Sequence, residues 1–273
     1  MKKDIKIGGH LPITNGLRYL PINVKALNYQ CAQISLNYND SYEIHPFDDT
    51  AVREFQLRTR EIDIFVKFPP TLDLCDNLPR RKAFNMTVFR RHFQESARLG
   101  AKAVIVNACF ERSLSFDLME KHLIEFLREV KQEGPLIYIS TTPGLIVYSR
   151  SGLFTSLVKV VKELDYEIKI CIDTAYLYIM GENLWNDENR NSFLSKYGHL
   201  IDLVYLNVPN VGINGGYRDS SSIAFINFKL NSDNMVYDLL QRYPIILERT
   251  SLHVQNMDQL YLRSVLKEKA EKL

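Results

Sequence analysis

The chain has 273 residues, 46% of them hydrophobic and 24% charged, with a formal net charge of +2. This is ordinary globular composition with ample material for a core, and its near-balance excludes nucleic-acid attraction through a whole-molecule field; any basic face has to be local. The opening MKKDIKIGG has no apolar signal region, and nowhere do about eighteen apolar residues run together, which points to a cytoplasmic or nuclear protein, neither secreted nor membrane-spanning.

Short apolar runs recur along the chain, each followed by a segment of helical period. The runs are Ile5 to Gly8, Cys31 to Leu36, Asp63 to Val66, Ala103 to Val106, Leu136 to Ile139, Ile168 to Ile172, Leu203 to Leu206 and Ile245 to Leu247. The helical segments are Asn15 to Asn28, Asp49 to Glu61, Arg80 to Leu99, Phe116 to Gln132, Ser151 to Leu164, Asp187 to Gly198, Asp233 to Arg242 and Asn256 to Lys272. Ser115 and Asp117 precede the amphipathic run LMEKHLIEFLREV, which Gly134 and Pro135 stop; Gly100 ends HFQESARL in the same way. Strand and helix alternate with no linker, and no GxGxxG turn follows the first strand. The expectation is one α/β domain over residues 1–273, a closed (β/α)8 TIM barrel rather than an open doubly wound sheet. Two connections, Asn37 to Asp48 and Asn207 to Asn227, are long enough to reach over the barrel mouth. Cys31, Cys75, Cys109 and Cys171 are widely spaced without a CxxC pair, as expected of buried reduced thiols.

The sixth run ends on Asp173, a carboxylate where a barrel strand opens into the mouth. The stretch CIDTAYLYIMG around it resembles the CxDTxHxxxxG motif of the endonuclease IV family. The likeness extends in order along the chain. KIGGHLPITNGL resembles the family's IGAHVSxxGGL, FVKFPPTLDLCD its HAPYLINLAS, and RLGAKAVIVNACF its LGAKxVVxHPG. IYISTTPGL is similar to LLENTAGQG, VYLNVPNVG to xHLNDSKG, and IILERT to the closing ILET. The resemblance implies an endonuclease IV-like barrel of the xylose isomerase-like superfamily, in which cleavage of DNA at abasic sites uses three metal ions bound by His and carboxylates at strand ends.

Position by position, the resemblance implies that this ligand set has changed. Lys67, Asn107, Tyr176 and Tyr205 stand where the family has His, and Ser140 where it has Glu; in the seventh loop Tyr217, Arg218 and Asp219 stand for its DRH. Asp173 and Glu248 remain; His10 also matches but is not a family ligand. Zinc needs several N, S or O donors at close range, and an ammonium repels a cation beside it, so no cofactor is expected and three zinc ions least of all. Lys67 is instead expected to pair with Glu248 or Asp173, with Tyr176, Tyr205 and Ser140 satisfying the remaining acceptors. The fallback metal site is one magnesium or manganese on Asp173, Glu248 and Asn107, an oxygen-rich set that suits a hard ion.

Among the other features, His92 and His122 fall within helices, His45 and His199 in loop or helix-end sequence, and His253 before the last helix. Arg80, Arg81 and Lys82, with Arg90 and Arg91, read either as a phosphate contact or as a solvated helix face. Tyr38 and Tyr42, Tyr176 and Tyr178, and Tyr217 with Arg218 bring rings toward one rim, where they could stack bases or cap the core. Asp40 and Ser41 stand where the family carries a duplex-penetrating Arg. The leading expectation is a pseudoenzyme that binds DNA or another protein in a DNA-repair setting. The alternatives are a phosphodiesterase acting at abasic sites, with Asp173 and Glu248 as catalytic residues, and a sugar-phosphate isomerase. The richness in Asn, Lys, Ile and Tyr suits an AT-rich, viral type of genome; the oligomeric state is left open.

Overall fold

The computed structural model describes residues 5–37, 41–107, 115–142, 152–209, 233–249 and 251–271. Eight parallel strands close into a barrel in chain order: β1 Ile7–His10, β2 Cys31–Ser35, β3 Asp63–Lys67, β4 Ala103–Asn107, β5 Leu136–Ser140, β6 Ile168–Asp173, β7 Ile201–Tyr205 and β8 Ile245–Leu247, with β1 pairing to both β2 and β8. The (β/α)8 architecture is the one expected. Around it run α1 Tyr19–Ala26, α2 Asp49–Thr59, α3 Pro79–Arg98, α4 Phe116–Val130, α5 Leu153–Glu163, α6 Thr174–Ile179, α7 Asp187–Tyr197, α8 Asp233–Arg242 and α9 Leu252–Glu271. No helix among the described residues is long and apolar enough to cross a membrane.

The strands alternate with period two, and the alternation separates two apolar layers. Ile34, Ile64, Val66, Val104, Val106, Ile139, Ile172, Val204 and Leu247 belong to the large cluster between sheet and helices. Cys31, Phe65, Ile105, Tyr138, Cys171, Leu203 and Ile246 form the smaller cluster that fills the barrel. One step of two further along each strand, the inward positions become Gln33, Lys67, Asn107, Ser140, Asp173, Tyr205 and Glu248, with His10 on β1. The same pleat that packs the core therefore sets a ring of polar side chains on top of it.

Several boundaries differ from the sequence reading. β1 lies two residues later than expected and β7 two earlier, since tertiary pairing with β2, β8 and β6 fixes them more tightly than local apolarity does. α1 is shorter than the helical-period segment. α9 starts at Leu252, so His253 lies inside it instead of before it. The short α6 was not expected; Asp173 caps it, its Oδ1 accepting from the backbone N–H of Ala175 and Tyr176. The Ser115 cap is present, its hydroxyl accepting from Leu118 N–H.

Two glycines in β1 permit close approaches on which the barrel seam relies. A Cβ on Gly8 would stand 2.0 Å from the carbonyl oxygen of Cys31, and one on Gly9 would stand 2.2 Å from Gln255 Oε1. Gly8→Ala forces backbone apart at the β1–β2 pairing, and its expected cost is about 2 kcal/mol or more in urea unfolding. A stability equal to wild type would mean that the seam is looser than described.

Candidate functional site at the barrel mouth

Two acids survive from the expected ligand set, and each has a separate hydrogen-bonding system. Glu248, just beyond β8, receives the Lys67 ammonium at 2.5 Å from Oε1, and Gln33 Nε2 donates to the same oxygen at 2.9 Å. Both charged side chains are 20% exposed, so the pair faces the mouth. Lys67 Nζ also lies 5.1 Å from the centroid of the Tyr205 ring.

Gln33 organises this half of the mouth. Tyr205 Oη donates to its Oε1 at 2.5 Å, which turns its amide nitrogen toward Glu248 and, at 3.0 Å, toward His10 Nδ1. An amide nitrogen only donates, so Nδ1 accepts and the neutral imidazole carries its proton on Nε2. Burial, with the Lys67 charge adding to it against Glu248, lowers the His10 pKa to about 4. For Glu248 burial pushes upward, but the adjacent Lys67 charge and the hydrogen bonds from Lys67 and Gln33 bring the carboxyl below its ordinary range.

Asp173 is 1% exposed and is held from the other side. Besides the two α6 N–H groups on Oδ1, Asn207 Nδ2 donates to Oδ2 at 2.7 Å. Arg249 Nη1 donates to Asn207 Oδ1 at 2.7 Å, which fixes the orientation of that amide; Arg249 Nε in turn pairs with Asp258 of α9 at 2.5 Å. The Thr174 hydroxyl donates to the Asn207 carbonyl and accepts from its N–H, tying β6 to the segment after β7. Burial raises the Asp173 pKa to about 6 against the lowering by Asn207.

The expected pairing of Lys67 with one of the two acids thus falls on Glu248, while the hydroxyl roles differ from expectation. Tyr205 bonds Gln33, and Ser140 Oγ donates to Thr142 Oγ1; the Asp173 acceptors are filled by Asn207 and backbone. Tyr176 contributes its N–H to Asp173 and places its ring in the apolar layer. Asn107 ends β4 beside Ser140 in register and is buried. Tyr38, Tyr217, Arg218, Asp219, Asp40 and Cys109 lie outside the described residues. The residues that sequence reasoning missed are Gln33, Asn207, Arg249 and Asp258. For Gln33 the signal was available, since a polar residue two positions after Cys31 shares its inward face.

The described donors do not by themselves fit a three-metal cluster. Among the described residues no group of three His, Cys, Asp or Glu side chains converges. Chemically, the Glu248 carboxylate is already neutralised by an ammonium, which has no lone pair to offer a metal.

Replacing Lys67 with Met leaves Glu248 uncompensated, and the expected loss is about 2 kcal/mol at pH 7, reduced from the fully buried case by the partial exposure. The depressed folded pKa of Glu248 makes its contribution present above the ordinary carboxylate value and lost as pH falls through the folded value. The Lys67→Met deficit therefore shrinks on acidification, and Lys67→Met/Glu248→Gln recovers most of it; an equal loss in the double variant would contradict the pairing. His10, with its pKa lowered from 6.5 to about 4, contributes stability that is full above 6.5 and lost as pH falls toward 4. His10→Gln keeps an acceptor for Gln33 and removes that titration. The stability advantage of wild type over this variant is expected to grow by about 2 kcal/mol between pH 4 and 6.5. A difference independent of pH would refute the assignment.

No family model and no curated protein matches the sequence. Solved structures do match. Endonuclease IV from Thermus thermophilus superposes with a TM-score of 0.76 at 16% identity, over 96% of this chain and 99% of that one. D-psicose 3-epimerase from Clostridium cellulolyticum gives 0.68 at 12% identity, over 96% and 99%, and an L-ribulose 3-epimerase 0.71 at 9%, over 98% and 97%. The chain has the TIM-barrel fold shared by endonuclease IV and the xylose isomerase-like sugar epimerases.

Proposed function

We propose that this protein acts by binding, with nucleic acid as its partner, and without the three-metal chemistry that the endonuclease IV resemblance implies. The observation that carries this reading is the Lys67 ammonium on Glu248 at the centre of the mouth. A hydrolytic metal cluster works by generating hydroxide and neutralising charge on phosphate. An ammonium already held by a carboxylate generates no hydroxide and takes the place a metal ion would need.

The barrel is shared by phosphodiester-cleaving and sugar-epimerising proteins, so fold does not choose between activities; the mouth has to. Here it offers a neutral His10 whose Nε2 carries the proton, the spare donors of Lys67 and the paired Glu248. Such groups hold a ligand by hydrogen bonds. Asp173, buried and turned into the Asn207–Arg249–Asp258 chain, supports the wall between β6 and β7. Nucleic acid is the partner that the family likeness implies.

Purified protein mixed with an abasic-site duplex tests this reading. Binding without strand cleavage in added magnesium, manganese or zinc, together with substoichiometric zinc by elemental analysis, is the expected result. Cleavage that disappears in Asp173→Ala and Glu248→Ala, or about three zinc ions retained per chain, would overturn it.

A further inference from the structure

The outer wall of the barrel carries a charge asymmetry that the mouth does not explain. α3 alone contains six basic residues and one acid, whereas the rest of the chain has 28 basic against 31 acidic residues. The bland reading is a solvated helix face whose charges are neutralised by neighbours. Half of the cations fit it: Lys82 pairs with Glu129 of α4, Arg98 with Asp49 and Glu95, and Arg90 Nη2 donates to the Glu129 carbonyl.

The other three are left largely open to solvent. Arg80 and Arg91 are exposed and have no ion pair among the described residues. Arg81 makes a long ion pair with Asp76, at 3.7 Å, that leaves its side chain 72% exposed. Arg80, Phe84, Thr87 and Arg91 recur at helical spacing along one exposed face, with Arg81 beside them. From Arg80 to Arg91 the stripe runs about 16 Å. Within it Phe84 is 51% exposed, its ring standing edge-on to Tyr42 at 5.2 Å. What sets this face apart is the combination of a half-exposed phenyl with the unpaired guanidiniums of Arg80 and Arg91 on one helix face. It is suited to a chain that alternates anionic groups with flat rings.

We propose that this face of α3 binds single-stranded nucleic acid, with Arg80, Arg81 and Arg91 on phosphates and Phe84 stacked on an unpaired base. The length of the stripe matches about five nucleotides at 3.4 Å each. Guanidinium suits phosphate because its planar fork donates two parallel hydrogen bonds. A duplex keeps its bases out of reach of Phe84, whereas a single strand offers them. The site lies on the barrel's flank, goes beyond the reading of the mouth and does not depend on it.

Fluorescence anisotropy of a labelled mixed-sequence oligodeoxynucleotide, titrated with the full-length protein over a range of salt, tests the proposal. The logarithm of affinity is expected to fall with the logarithm of salt concentration with a slope of about −2, from about 0.7 per phosphate contacted. Arg80→Glu/Arg91→Glu is expected to weaken binding at least tenfold and to reduce the magnitude of the slope by about 1.4. Phe84→Ala weakens binding about tenfold with the slope unchanged. Arg80 and Arg91 are exposed, so the charge variant is expected to keep the wild-type unfolding midpoint; Phe84→Ala also loses the edge contact with Tyr42, and Phe84→Tyr, which keeps a ring, is expected to retain binding. Absence of salt-dependent binding, a slope unaltered in the charge variant, or tighter binding to phosphatidylserine vesicles than to the oligonucleotide would overturn the proposal.

Discussion

An ammonium and a carboxylate face each other at the open end of the barrel, and most of the mouth's geometry follows from keeping them together. Alone, either charge would be costly where water is scarce; paired and hydrogen-bonded, they are tolerable. Lys67 reaches Glu248 because both occupy inward positions at strand ends, on β3 and just past β8. Gln33 then has to present its amide nitrogen to the same carboxylate, Tyr205 has to donate to the amide oxygen, and His10 has to accept. One ion pair thereby sets an amide orientation, a hydroxyl direction and an imidazole tautomer.

The second acid shows the other way of keeping a carboxylate in a barrel. Asp173 has no cation beside it among the described residues; it receives two backbone N–H groups at the start of α6 and the amide of Asn207. The direction of that amide is imposed from below by Arg249, whose own charge is matched by Asp258. The result is a buried chain of donors and acceptors linking β6, the segment after β7, the end of β8 and α9. The cost of burial remains visible in the raised Asp173 pKa, whereas Glu248, with a cation in contact, is lowered.

Much of this was legible in the sequence. Eight apolar runs marked all eight strands, Asp173 stood out as the carboxylate ending its strand, and the resemblance singled out Lys67 and Glu248; the pleat explains why all three reach the mouth, since each lies two positions after a residue of the inner core, Phe65, Cys171 or Ile246. The detailed wiring was not readable. Tyr205 and Ser140 were expected on the acids, yet their hydroxyls bond Gln33 and Thr142, because hydrogen-bond direction depends on where amides point and not on residue type. Asn207 and Arg249 sit immediately past strands in runs whose apolar neighbours drew attention to packing. α6 escaped notice because six residues, five of them apolar or aromatic, show too little period; its start is set by the Asp173 cap.

The flank and the mouth divide the molecule's polar chemistry. On α3, the guanidiniums of Arg80 and Arg91 are exposed and without an ion pair among the described residues; at the mouth, charge is paired and hydrogen bonds are aimed. The most direct test of the central claim, that Lys67 occupies the mouth as the partner of Glu248, is diffraction from crystals grown in excess zinc, recorded at the zinc absorption edge. The account predicts Lys67 Nζ within hydrogen-bond reach of Glu248 and no anomalous peak at the strand ends. Zinc peaks ligated by Asp173 or Glu248, with Lys67 swung aside, would contradict it.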